Sequence, residues 1–239
     1  MNKSTSIDLY RANSHQQEQI KVINSIADQL KSNDLNFSTV DPVDDYDSDS
    51  RICLTSVHFP KQVLIDQITR LVNPLKKIEP NHYYYRSNSL HITIKNIRVV
   101  SNPPHFSDKV VEKVINVFDY TVSRNHKFMV YFYRLLMFPA HLALVGTSDP
   151  ELDNIFLALD KNLTNAGVPD DKKYANKQHF FSNITLLRFT QSPSYEMVRK
   201  INEFSKNVKL RPYEIDSISL IKANTSLSLC DRIKTWQLN

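Results

Sequence analysis

Leu90-His91-Ile92-Thr93-Ile94 and Ser182-Asn183-Ile184-Thr185-Leu186 are the two stretches on which the reading of this chain turns. They lie 92 positions apart (183 − 91 = 92), and their meaningful difference is a histidine against an asparagine. In a β-strand successive side chains point to opposite faces, so His91 and Thr93 share one face while Ile92 and Ile94 share the other. Asn183 and Thr185 stand in the same relation to Ile184 and Leu186. Each copy thus offers two short polar side chains on a strand whose back is apolar.

The segments around these stretches also repeat. Ile52 to His58 reads as an apolar strand, and Pro60 opens a helix carrying Leu64, Ile68, Leu71 and Val72. The His91 strand follows, then a helix from about Ser107 to Tyr120. In the second half Leu142 to Gly146 reads as a strand, Asp149-Pro150 starts a helix that Gly167 stops, the Asn183 strand comes next, and Ser192-Pro193 opens a helix with Val198, Ile201 and Phe204. Lys127 to Arg134, Ile215 to Ile221 and Ser228 to Gln237 supply further strands. Strand, helix, motif strand, helix occurring twice predicts an α/β (α+β) body of two pseudo-symmetric lobes, each with a mostly antiparallel sheet. Pairing of the two motif strands across the pseudo-symmetry axis would bring both polar pairs into one central cleft. Four such groups suit a phosphodiester, which needs proton transfer at two oxygens and hydrogen bonds to the rest.

Residues 1–50 read as an addition to a bilobal domain over residues 51–239. Ser14 to about Lys31 is amphipathic, with Ser14 and Gln17 placed as a capping box and Ile20, Ile23, Ala27 and Leu30 as a stripe. That stripe is expected to dock on the body of the chain or to make a protein contact. Asp41 to Ser50 is an acidic, turn-rich connector; Asp45, Asp47 and Asp49 have the spacing of a calcium loop but lack its glycine and closing glutamate. The polar start Met1-Asn2-Lys3-Ser4 does not read as a signal peptide, no apolar run is long enough to cross a bilayer, and a cytoplasmic location is expected. Cys53 and Cys230 lack metal-ligand spacing and read as buried free thiols, with a structural disulfide as the alternative. With 30 basic and 25 acidic residues the net charge is +5, which favours anionic partners. Two glycines, Gly146 and Gly167, are too few for a P-loop or a dinucleotide-binding turn.

The two motifs and their flanks resemble the 2H phosphoesterase superfamily, which includes the 2′-5′ RNA ligase-like proteins and cyclic phosphodiesterases. Its signature is two copies of His, apolar, Thr or Ser, apolar, one in each lobe. Leu90-His91-Ile92-Thr93-Ile94-Lys95 looks like a complete first copy, and Arg51 to Pro60, Tyr85 to Leu90 and Phe181 to Arg188 look like the family's flanks. The resemblance implies metal-independent hydrolysis with no cofactor, acting on RNA ends or a small nucleotide carrying a 2′,3′-cyclic phosphate or a 2′-5′ linkage. It implies catalytic roles for His91, Thr93 and Thr185, and it puts Asn183 where the second histidine would be. Asparagine forms hydrogen bonds but does not change protonation near neutral pH. As a substrate ligand, as a lost proton-transfer group or as an introduced change, it points either to an impaired enzyme with one histidine or to a nucleotide- or RNA-binding module that kept the cleft.

Four further residues are candidate substrate ligands. Lys95 has the parity of His91 and Thr93, and an exposed-edge lysine is its alternative. Arg188 resembles an arginine that often follows the second motif, although regular alternation turns it away from Thr185. Tyr85 and Arg86, with Tyr83, Tyr84, Lys76 and Lys77, interleave aromatic and basic groups as base-stacking surfaces do. At least one of these tyrosines is expected in the core. Thr93 and Thr185 also fit strands simply as β-branched residues. His58 and His141 could border the cleft or sit on the surface, and His179 shares parity with Asn183 at about 13 Å along an extended strand.

Overall fold

A computed structural model describes residues 12–239; the polar start at Met1-Asn2-Lys3-Ser4 lies outside the described residues. Among the described residues five helices and nine strands follow one another, in the order the periodicity predicts for the two repeats. In the first repeat these are β1 (Ile52–His58), α2 (Gln62–Ile78), β3 (Ile92–Ser101) and α3 (Asp108–Val122). In the second they are β5 (His141–Ser148), α4 (Glu151–Asn165), β6 (Ser182–Arg188) and α5 (Tyr195–Ser205). The additional elements are α1 (Ser14–Ser32), β2 (Tyr83–Tyr84), β4 (Phe128–Met137), β7 (Tyr213–Ile215), β8 (Ser217–Ala223) and β9 (Cys230–Gln237).

The strands form two sheets, ordered β3-β1-β8-β9 and β2-β6-β5-β4-β7. Every ladder is antiparallel. In each lobe the motif strand lies beside the first strand of its repeat, β3 on β1 and β6 on β5. This is the bilobal α+β architecture expected. The two motif strands do not pair with each other, however. They belong to different sheets and pack together where the lobes meet. The Tyr83–Tyr85 approach to the first motif crosses over to the second lobe, where β2 pairs with the end of β6 and the Tyr85 N–H donates to the Leu186 carbonyl at 3.1 Å.

A continuous apolar core runs through both lobes. It includes Leu54, Ile92, Ile94, Leu144, Ile184 and Leu186 from the strands, and Leu64, Phe118, Leu159 and Ile201 from the helices. Ile92 and Ile184 are completely buried, as the alternation requires of the apolar backs of the motif strands. Gly146 lies on β5 against β4, where a Cβ would collide with the Tyr131 carbonyl oxygen. Gly167 stops α4 with φ +73°, the left-handed conformation that glycine adopts at little cost.

Three local expectations are corrected. The capping box of α1 is Asn13 with Gln16, one residue earlier than Ser14 with Gln17, because the Asn13 side chain accepts from the Gln16 N–H while the Gln16 side chain accepts from the Asn13 N–H. The single strand expected over Ile215 to Ile221 is two. Its first part pairs with β4 and its second with β1, so the chain changes sheet at Asp216. Cys53 is buried as expected, and burial pushes its thiol up to about 12. Cys230 is exposed, since β9 is the edge of its sheet.

Candidate phosphoester site

The site begins with two irregularities in the motif strands. On the β1–β3 ladder Ser56 faces Lys95 and Val57 faces Thr93, which leaves Ile94 as an extra residue. On the β5–β6 ladder Leu142 faces Leu187 and Ala143 faces Thr185, which leaves Leu186 as an extra residue. Ile94 and Leu186 are equivalent in the repeat. A bulge inserts one unpaired residue and resets the side-chain alternation beyond it. Past the bulges, Lys95 and Leu187 therefore point to the buried backs of their strands, and Asn96 and Arg188 return to the face that carries the motifs.

That face lines a cleft of about 470 Å³ between the lobes, bordered by His91, Thr93 and Asn96 on one side and Asn183, Thr185 and Arg188 on the other. His91 stands just ahead of β3, its ring 6.0 Å from that of Tyr85. Its Nδ1 lies 2.8 Å from the Ser89 carbonyl oxygen. A carbonyl only accepts, so Nδ1 carries the proton and the neutral ring presents its lone pair at Nε2. Burial pushes the His91 pKa down to about 4, with the Arg188 charge adding to the effect, and the ring is neutral at pH 7.

Arg188 is almost fully buried. Its Nε donates to the Tyr85 hydroxyl at 3.0 Å, and that hydroxyl donates to the Thr225 carbonyl at 2.8 Å. Its guanidinium lies 5.4 Å from the centre of the Tyr46 ring, yet Nη1 is buried without a hydrogen-bond partner. Buried guanidinium N–H groups are ordinarily satisfied, and a planar fork with an unmet donor suits a phosphate or carboxylate. Directly opposite Arg188 on the ladder is His141, stacked on Phe138 with ring centres 4.5 Å apart. Burial and the neighbouring Arg188 and Lys172 charges push its pKa down to about 3.

No protein-family model matches the chain, and no curated protein sequence matches it. Solved structures do. Apo E. coli LigT superposes with a TM-score of 0.53 at 14% identity, covering 80% of this chain and 99% of that one. E. coli LigT complexed with ATP gives a TM-score of 0.52, also at 14% identity and with the same coverage. A Thermus thermophilus protein gives 0.52 at 12% identity, covering 78% of this chain and 97% of its own. The chain has the LigT-like phosphoesterase fold. It is the fold that the resemblance to the 2H phosphoesterases implies, reached here with little identity along the chain.

Within the cleft, His91, Thr93, Asn183 and Thr185 come together, and Tyr85 and Arg188 join them. Arg188 faces the cleft against the expectation of regular alternation, because the Leu186 bulge restores its parity. The Ile94 bulge has the opposite effect on Lys95, which does not line the cleft. It is completely buried, its Nζ 2.7 Å from an Asp160 carboxylate oxygen, paired also with Asp170, and 4.1 Å from the centre of the Phe156 ring. Arg86 is exposed and pairs with Asp47 at 2.7 Å. Tyr83 donates to the same carboxylate at 3.1 Å, and Tyr84 donates to the Glu79 carbonyl at 2.8 Å, so both tyrosines are engaged by the protein itself. His58 is buried, held by the Ser217 carbonyl and the Tyr213 hydroxyl.

Three cleft residues escaped the sequence reading or were undervalued by it. Asn96 is the repeat equivalent of Arg188, hidden by the bulge. His141 was indistinguishable from a surface histidine at a strand end. Lys172 lies in a charged loop with no periodic signal, borders the cleft, and is held below the ordinary lysine range by burial, which the nearby Asp170 partly offsets.

The N-terminal segment forms part of the same wall. Helix α1 packs its Val22, Ile23, Ile26 and Ala27 against Tyr133, Leu136, Ala143 and Val145 of β4 and β5. Gln19, completely buried, donates to the Ser148 hydroxyl at 2.9 Å and the Phe180 carbonyl at 2.6 Å, and accepts from the Ser148 N–H at 2.8 Å. Val22 and Ile26 border the cleft, as do Phe37 to Asp41 beyond the helix. The acidic connector is anchored as well: Tyr46 is buried against Tyr83, and Asp49 is buried and paired with Arg51. No helix among the described residues is long and apolar enough to cross a membrane.

Proposed function

We propose that this chain is a 2H-type phosphodiesterase of RNA ends or small nucleotides, acting on a 2′,3′-cyclic phosphate or a 2′-5′ linkage, with His91 as its single proton-transfer residue. The observation that carries the proposal is the pairing, in one cleft, of a histidine with its lone pair at Nε2 and a buried arginine whose Nη1 lacks a partner. Arg188 would hold a non-bridging phosphate oxygen, with Thr93, Thr185 and Asn183 donating to the others, and Tyr85 would fix the guanidinium. A neutral His91 would take a proton from the attacking water. Asn183 cannot return one to the departing oxygen, so that oxygen would draw its proton from solvent. Loss of one general acid or base costs about 10²- to 10⁴-fold in rate, and turnover is expected to be slow. E. coli LigT has been solved with ATP and with 3′-AMP, which supports a nucleotide as the class of ligand. The net charge of +5 supports an anionic ligand.

Asn183 itself favours a second reading, a module that binds the same nucleotides or RNA in the cleft without turnover. A protein partner remains part of either reading only through the polar side of α1, since its apolar side is occupied by β4 and β5. The experiment is hydrolysis of a panel of 2′,3′-cyclic nucleotides and 2′-5′ oligonucleotides without added metal, for the unmodified chain, His91→Ala and Asn183→His. Turnover that disappears in His91→Ala supports the enzyme. Silence from the unmodified chain with intact nucleotide binding, and turnover only in Asn183→His, supports the binding module.

A further inference from the structure

A second cluster of chemistry-bearing side chains lies where the first turn of α1, the first turn of α4 and the segment leading into β6 meet. His15, Asp153 and His179 each turn one ligand atom inward, and these atoms lie within 4.8 Å of one another. Asp153 Oδ2 is 3.2 Å from His179 Nδ1 and 3.7 Å from His15 Nε2. The other Asp153 oxygen accepts the Phe180 N–H at 2.8 Å. The carboxylate side chain is only 8% exposed. His15 Nε2 is buried and has no hydrogen-bond partner, its distance to Asp153 being too long for one. A buried polar atom left unmatched is uncommon, and a bound ion is one of the partners that can satisfy it.

We propose that His15, Asp153 and His179 bind a zinc ion that fastens the N-terminal helix to the body of the protein. Zinc bonds of about 2.0–2.2 Å in tetrahedral geometry set neighbouring ligand atoms roughly 3.3–3.6 Å apart, between the two distances from Asp153 Oδ2, while the third separation, between the two imidazole nitrogens, is within 4.8 Å. Two imidazole nitrogens and one carboxylate oxygen suit zinc, whereas calcium and magnesium take oxygen-rich shells. Three protein ligands leave a fourth position for water. The Phe180 N–H orients the carboxylate from behind, as outer hydrogen bonds do around metal ligands. His179 also borders the cleft, and β6 with Asn183 begins shortly after it. The ion would therefore fasten together two pieces of the cleft wall. The inference stands apart from the phosphodiesterase reading, because none of its ligands is placed on the phosphate.

The test uses the untagged full chain, stripped with a chelator, and zinc itself as the probe, in competition with a chromophoric chelator. Expected are one zinc per chain, visible absorption bands of a four-coordinate site when cobalt replaces zinc, and a rise of several degrees in melting temperature on adding zinc. His15→Gln and His179→Gln should each weaken zinc binding at least ~10- to 100-fold and abolish the thermal shift. In the unmodified chain, the imidazole NMR signals of His15 and His179 should move on adding one equivalent of zinc, a readout that does not depend on any variant folding. Absence of stoichiometric binding, or binding that persists in both variants while those imidazole signals stay in place, would overturn the proposal.

Discussion

Asn96 and Arg188 occupy equivalent positions in the two lobes, each returned to the cleft face by a one-residue bulge immediately after its motif. The lobes therefore share a backbone device and differ in what it presents. One displays an amide that accepts from the Thr55 hydroxyl at 3.3 Å, the other a guanidinium with an unmet donor. The charge that would hold an anion thus comes from the lobe whose motif lacks the histidine.

Arg188→Met keeps the apolar stem and removes the donors. A hydrogen bond to a charged group contributes about 1.5–3 kcal/mol, so affinity for a 3′-phosphorylated nucleotide should fall roughly 10- to 100-fold. Calorimetric titration measures this directly, and unchanged affinity would remove Arg188 from the site.

The half-buried, desolvated imidazoles of His91 and His141 predict a pH dependence of stability. His91 and His141 protonate near 4 and 3 in the folded chain, against an ordinary value of 6.5 when unfolded. Between pH 6.5 and 4 the unfolded chain binds more protons, so stability is fully present above pH 6.5 and declines as the pH falls through that window. Thermal melts of the unmodified chain should show this decline, and it should be shallower in His91→Gln and in His141→Gln. A nucleotide phosphate in the cleft should raise the His91 pKa, a shift visible by NMR of the ring protons.

Lys95 ties β3 to the carboxylates of Asp160 and Asp170 with its ammonium completely buried. Removing one partner of a buried ion pair typically costs about 3–5 kcal/mol because the other charge is left stranded. Asp160 is half exposed and stays solvated when the lysine is removed, so Lys95→Ala strands chiefly Asp170 and should lose stability toward the lower end of that range in denaturant unfolding, still more than an exposed-edge lysine would.

Ile23 anchors α1 and is completely buried. Ile23→Ala should cost about 2–5 kcal/mol in chemical denaturation if the helix unfolds together with the body. Deleting residues 1–41 should bare the apolar face of β4 and β5 and increase binding of a hydrophobic dye. A truncated chain that binds no more dye than the intact one would show that the helix contributes little cover.

The order of elements, the duplicated architecture and the buried backs of the motif strands were legible in the sequence. They rest on local periodicity: alternation along a strand, a 3.6-residue stripe along a helix, and proline or glycine at element ends. The shared cleft was expected through pairing of the two motif strands, and the structure forms it differently, by packing the strands together from separate sheets. Tertiary structure alone decided what departs from that regularity. The Ile94 and Leu186 bulges exchange the fates of Lys95 and Arg188, because a bulge is specified by how one strand lies on its neighbour and leaves no mark in the alternation of a single strand. The His15–Asp153–His179 cluster draws its members from the beginnings of two helices and a connecting segment. Such residues share no spacing in sequence, and only the docking of α1 on the second lobe brings their ligand atoms together.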